Sequence, residues 1–135
     1  MPWEQELRPI LQVVVAACLG AVVGWQRERV HQEAGIRTFA AVSLGACVFG
    51  LITPGDTRIS AQVVSGIGFI GAGVIMRGRA HVHGLTTAAA LWATASVGTA
   101  VASGRLILGG VVAILIVALL AIPTKKWEQE TQHRR

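Results

Sequence analysis

The chain has 135 residues, of which 53% are hydrophobic and 14% charged, against about 25% charged in ordinary soluble domains. With sixteen glycines and no tyrosine, that composition excludes a conventional water-soluble domain and leaves room for one compact unit. The formal net charge of +5 comes from basic residues at the ends of apolar runs, which suits an anionic membrane surface and argues against nucleic acid as a partner.

The pattern predicts an all-α polytopic membrane protein with small-residue close packing. Five transmembrane helices are expected at about 7–25, 36–52, 59–76, 85–102 and 106–122, in a single domain over 1–135 with no soluble C-terminal domain. In the first span, Pro9 suits an opening turn, where its missing N–H matters little. Gly20 and Gly24 form a G-x-x-x-G extended backward by Ala16, the natural candidate for a face that pairs two copies into a homodimer or larger assembly. Val15-Ala16-Ala17-Cys18 resembles a lipoprotein cleavage box, but two glutamates precede it and the apolar run continues past the cysteine. Cys18 and Cys47 fall within apolar runs and read as small buried hydrophobes with no disulfide expected.

Residues 26–37 are charged. Glu33-Ala34-Gly35 reads as a helix end with a left-handed glycine, so the first helix is expected to outrun the bilayer. Arg27, Glu28 and Arg37 are a candidate network between the first two spans; surface ion pairing and headgroup contact are the plainer alternative. The second span offers small faces at Ala41/Gly45 and Ala46/Gly50, and Thr53-Pro54-Gly55-Asp56 is a strong turn signal.

The third span carries the most glycine. Ala61, Ser65, Gly66, Gly68, Gly71, Ala72 and Gly73 leave almost no bulky face, so Gly66, Gly68, Gly71 and Gly73 are expected to let other helices pack around it as the buried centre. Gly66-Ile67-Gly68-Phe69-Ile70-Gly71 also matches a dinucleotide-binding fingerprint, but it lies inside an apolar run with no preceding strand and no acidic residue about twenty positions on. At its entrance, Asp56, Arg58 and Gln62 are candidate binding groups. Gln62 lies one turn beyond Arg58. Asp56 is either an N-cap or a charge that holds a hydrated cation, which makes it the single candidate metal ligand.

A second basic connection follows, with His81 and His83 at alternate positions but no evident third ligand. Thr86 or Thr87 is expected to cap the fourth span. Trp92 sits near its middle and is expected to pack inside, whereas Trp3, Trp25 and Trp127 lie near interfaces. The fifth span, rich in Val, Leu and Ile, is the most lipid-compatible. Five crossings place Arg8, Arg58 and Arg105 on one side and Arg27, Arg29, Arg37, Arg77, Arg79, Lys125, Lys126, Arg134 and Arg135 on the other. Three against nine predicts a periplasmic N-terminus and a cytoplasmic C-terminus.

Several of these stretches together resemble one family. Gly24-Trp25-Gln26-Arg27-Glu28, Gly35-Ile36-Arg37-Thr38, Asp56-Thr57-Arg58-Ile59, Gln62 through Gly73 and Gly84-Leu85-Thr86-Thr87-Ala88-Ala89 are similar to the ordered motifs of the MgtC/SapB bacterial membrane proteins, over about residues 10–104. The resemblance implies a bacterial inner-membrane protein linked to magnesium homeostasis and growth at low magnesium. Gln26 stands where an acidic residue is frequent in that family, and the soluble C-terminal domain of many members has no counterpart here.

Two functional readings remain. The first is a regulatory or scaffolding membrane module whose partners are the bilayer, a second copy and possible further membrane proteins. The alternative is a divalent-cation (Mg2+) transporter or permease acting as an oligomer. The apolar spans offer Gln62, Ser65, Thr94, Ser96 and Thr99 but no carboxylate at mid-membrane, which weighs against an ion path. No phosphate-binding lysine loop, H-E-x-x-H or nucleophile motif points to an enzyme, and no cofactor is expected beyond Mg2+ as ligand or substrate.

Overall fold

The computed structural model describes residues 2–77 and 82–123. It contains five helices: α1 (Pro2–Arg29), α2 (Ile36–Ile52), α3 (Thr57–Val74), α4 (Leu85–Ala102) and α5 (Leu106–Ala121). Between α3 and α4, β1 (Met76–Arg77) pairs antiparallel with β2 (Val82–His83), Met76 opposite His83. His81, Trp127 and the basic tail lie outside the described residues.

The distribution of side chains is that of an all-α membrane protein. Large apolar residues cover the outside, among them Ile107, Ile114 and Leu119 of α5 and Leu11, Val14 and Val22 of α1, while Gln12, Arg27, Ser43, Thr87 and Thr94 are buried. In water this inversion would leave an apolar surface far beyond what monomers tolerate; in lipid it is the expected arrangement. By length and hydropathy α1 and α4 suffice to cross a bilayer, and α2 and α5 are shorter apolar helices of 17 and 16 residues. Trp25 sits at one rim with the Arg29 guanidinium 4.7 Å from its ring centroid, a pairing suited to the headgroup zone.

The centre of the bundle is α4. It touches all four other helices and buries Thr87, Ala88, Ala90, Leu91, Thr94, Ala95, Val97, Gly98 and Val101. This corrects the expectation for α3, which buries only Ile67 and Gly71. Gly66, Gly68 and Gly73 have open space where a side chain would stand, and only Gly71 faces a neighbour, Ala88, at 3.5 Å from a notional Cβ. Trp92 is corrected in the same way. Leu91 and Ala95 take the core face of α4, and the adjacent Trp92 is 54% exposed.

Close packing happens instead where α1 and α4 grip α2. A Cβ on Gly20 would stand 2.5 Å from the Phe39 carbonyl oxygen and 2.8 Å from Ser43 Cβ, and one on Gly24 would stand 2.6 Å from Ile36 Cα. On the other side of α2, a Cβ on Gly98 would collide with the Ser43 carbonyl oxygen. The Ala16-Gly20-Gly24 face is therefore consumed within one chain and is not free to pair two copies.

Two further local expectations are corrected. Helix α1 ends at Arg29, and His31, not Gly35, takes the left-handed conformation with φ 56°. Gly35 is extended; its lack of a side chain admits the Glu28 carboxylate, which a Cβ would meet at 2.7 Å. Helix α4 is preceded by Gly84 at φ 82°, not capped by a threonine, because the chain there passes against the Val74 carbonyl with no room for a Cβ. Cys47 is buried, Cys18 is exposed, and both are free thiols.

Candidate functional site

Among the described residues, the side-chain hydrogen bonds that join different helices lie at the two ends of the bundle, where helix termini leave N–H and C=O groups without intrahelical partners. At the end reached by the C-terminus of α1, Arg27 is buried and donates from Nη2 to Thr87 Oγ1 at 2.9 Å, tying α1 to the first turn of α4. Thr87 in turn points its hydroxyl at Gln32 Oε1, 3.5 Å away. Glu28 accepts from the backbone N–H of Ile36 at 3.1 Å and so supplies the cap that Gly35 cannot give α2. Gln26 donates to the Leu120 carbonyl at 3.2 Å, near the end of α5. One turn of α1 thus holds an end of each of three other helices. The buried Gln26 Oε1 and Arg27 Nε have no partner among the described residues. Arg37, expected to join this group, is exposed on α2 and meets no hydrogen-bond partner there among the described residues.

At the opposite end, Asp56 is the N-cap of α3. Its carboxylate accepts from the Arg58 N–H at 2.9 Å and also lies 3.6 Å from Arg58 Nε. Side chains two residues apart on one helix would not face each other. The pairing forms because Asp56 stands just outside the helix in extended conformation. Both side chains are exposed, so the ion pair itself contributes little. Gln62 does not join them in any hydrogen bond; it faces the space between α2 and α3. No group of three His, Cys, Asp or Glu able to hold a metal occurs among the described residues.

Sequence reasoning missed Gln12. It is buried in α1 and donates from Nε2 to the Val101 carbonyl at 2.6 Å and the Ala102 carbonyl at 3.2 Å, closing the C-terminus of α4. The signal was present as a lone amide in an apolar run, which in lipid needs an interhelical acceptor.

Because α3 leans on α4 and only lightly on α2, a groove of about 650 Å³ opens between α2 and α3. Its walls are almost wholly carbon, from Ala41, Gly45 and Phe49 on one side to Gly66, Phe69 and Ile70 on the other, with Gln62 as the main polar group along α3.

Residues 13–128 match the MgtC family. The chain belongs to that family. Among curated relatives it is 38% identical over 128 residues to Protein MgtC of Brucella abortus (strain 2308), covering 90% of this chain and 54% of the relative. It is 48% identical over 101 residues to Protein MgtC of Salmonella typhimurium (strain 14028s), covering 71% of this chain and 44% of that one. The chain therefore spans about half the length of the curated relatives it matches. No solved structure matches. As a member of the MgtC family, the chain is a membrane protein whose matched region takes in the α1 end cluster, the Asp56 cap and the α2–α3 groove alike.

Proposed function

We propose that this MgtC-family chain is a non-enzymatic module of the bacterial inner membrane, with its N-terminus periplasmic and its C-terminus cytoplasmic. On this reading it serves adaptation to scarce magnesium by binding other membrane segments, including a second copy of itself, and does not itself conduct the ion. The observation that carries this reading is the α2–α3 groove. A hydrated Mg2+ ion keeps several waters and seeks oxygen ligands, which carbon walls do not supply. An apolar helix seeks what the groove offers, because Gly45 and Gly66 lower the walls and let a second backbone approach. The disposition of polar groups supports the same conclusion. Among the described residues, those buried in the bundle are Gln12, Arg27, Ser43, Thr87 and Thr94, with no carboxylate among them, and all but Ser43 make a hydrogen bond within the chain.

Gly66→Leu tests the reading directly, since a Cβ there meets no atom within 4 Å and the longer side chain would take up space in the groove. In a deletion strain at limiting magnesium, the variant is expected to accumulate to the parental level and fail to restore growth. Parental growth at parental level would place the activity elsewhere.

A further inference from the structure

On the other flank of α3 lies a second cleft, of about 440 Å³, walled by α3, α4 and the first turn of α5. Unlike the α2–α3 groove it is graded. Its rim, at the end of the bundle that carries Asp56, is formed by Ser60, Ser103 and Arg105. Its depth is formed by Val64 and Leu108, by Thr99 and Ser96, whose hydroxyls donate to the Ala95 and Ala93 carbonyls of their own helix, and, eleven residues before Ser103 on α4, by Trp92, which a rise of 1.5 Å per residue puts about 16 Å further along the helix. Arg105 is exposed, precedes the first turn of α5, and has no carboxylate partner among the described residues. Ser60 is exposed and its hydroxyl is likewise uncommitted among them, whereas Ser103 already donates to the Thr99 carbonyl at 3.0 Å. Trp92 turns an exposed indole into this cleft although its neighbours Leu91 and Ala95 are in the core.

An unpaired guanidinium with a free hydroxyl at the rim, and a mainly apolar channel running inward beneath them whose Thr99 and Ser96 hydroxyls are spent on their own helix, is complementary to one kind of membrane molecule. We propose that this cleft binds an anionic glycerophospholipid, its phosphodiester held by Arg105 and Ser60 and one acyl chain laid along Val64 and Leu108 against Trp92. Arg105 recognises the phosphate through a fork of donors that a zwitterionic headgroup, with its own cation, partly satisfies for itself. The lipid fills a surface that would otherwise present hydroxyls and an arginine to hydrocarbon, and it braces α3 where that helix lacks protein neighbours.

Trp92 reports on the site. In a background with Trp3, Trp25 and Trp127 changed to Phe, its fluorescence is measured in phosphatidylcholine bilayers containing a small fraction of chain-brominated lipid. Brominated phosphatidylglycerol is expected to quench as though enriched about fivefold over brominated phosphatidylcholine at the same fraction, the preference of one basic group for an anionic lipid. Arg105→Gln removes the preference, and Ser60→Leu, which fills the cleft from the exposed side of α3, lowers quenching by both lipids. Arg29→Gln, at the other end of the bundle, leaves the preference unchanged. Millimolar inorganic phosphate is expected to have no effect; if it abolishes the preference, the site reads free phosphate and the lipid assignment is wrong. Equal quenching by the two brominated lipids in the parent, or an undiminished preference in folded Arg105→Gln, overturns the proposal.

Discussion

Replacing Gly98 by alanine adds a single methyl group at the tightest crossing in the bundle. That methyl would lie in the Ser43 carbonyl oxygen, 2.9 Å from the carbonyl carbon and 3.0 Å from Ala46 Cβ. The obstacle is mainly backbone, so no rotamer change relieves it. Helices α2 and α4 must separate by roughly 1 Å to restore ordinary contact, which also loosens the packing of Phe39 and Leu91 nearby. Overpacking of this kind costs about 1–3 kcal/mol, offset in part by up to about 1 kcal/mol of gained helix propensity. Gly66→Ala and Gly68→Ala are the matched controls. They meet nothing within 4 Å and gain the same propensity. Thermal unfolding of purified protein in mild detergent, followed by circular dichroism or by loss of the monodisperse elution peak, separates the two cases. Gly98→Ala is expected to lower the apparent Tm by a few degrees, at roughly 4 °C per kcal/mol for a chain of this size. The α3 variants should be unchanged or slightly raised. If Gly98→Ala is neutral while the α3 variants unfold, α3 and not α4 is the packing centre.

Gln12→Leu strands the Val101 and Ala102 carbonyls in an apolar setting and is expected to cost about 1–3 kcal/mol by the same melting assay, more than Gln5→Leu on the exposed part of the same helix. Arg27→Met and Thr87→Val remove the two sides of one buried hydrogen bond, so their effects on Tm should be less than additive in the double variant, with a coupling of about 0.5–3 kcal/mol. Asp56→Ala is expected to lower stability by about 0.5–2 kcal/mol while Asp56→Asn retains it, since the amide oxygen can accept from the Arg58 N–H as the carboxylate does. Asp56→Asn that is stable yet fails to support growth at limiting magnesium would assign the charge a role beyond capping.

The positions of α2 to α5 were legible because apolar runs bounded by Pro, Gly and charged residues mark them in sequence, and Thr53–Asp56 supplied the tight turn with Gly55 at φ 82°, whereas α1 already starts at Pro2 and carries Pro9 inside it, not in its opening turn. Which helix stands at the centre was not. Small residues measure how closely a helix can be approached, not whether anything approaches it, and both α3 and α4 carry them. The distinguishing signal was periodic: Ala90, Thr94 and Gly98 recur every four residues on α4, with Leu91, Ala95 and Val101 beside them, all buried. On α3, Gly66, Gly68 and Gly73 scatter around the axis and stay open. At the candidate site, Asp56 as a cap and the involvement of Arg27 and Glu28 could be read from residue type and position. Their partners could not, because Thr87 lies sixty residues from Arg27 and no local rule joins them. Arg37 was included on charge alone, and charge on a helix surface does not specify a contact.

The claim that the chain binds other membrane segments and does not conduct magnesium is tested most directly by ion flux. Purified protein is reconstituted into liposomes that enclose a magnesium-sensitive dye, and Mg2+ is added outside with an ionophore-clamped membrane potential. The dye trace is expected to match that of protein-free liposomes at every protein-to-lipid ratio. A Mg2+-dependent rise that scales with the amount of protein and disappears with Gln62→Leu would contradict the account and make the α2–α3 groove an ion path.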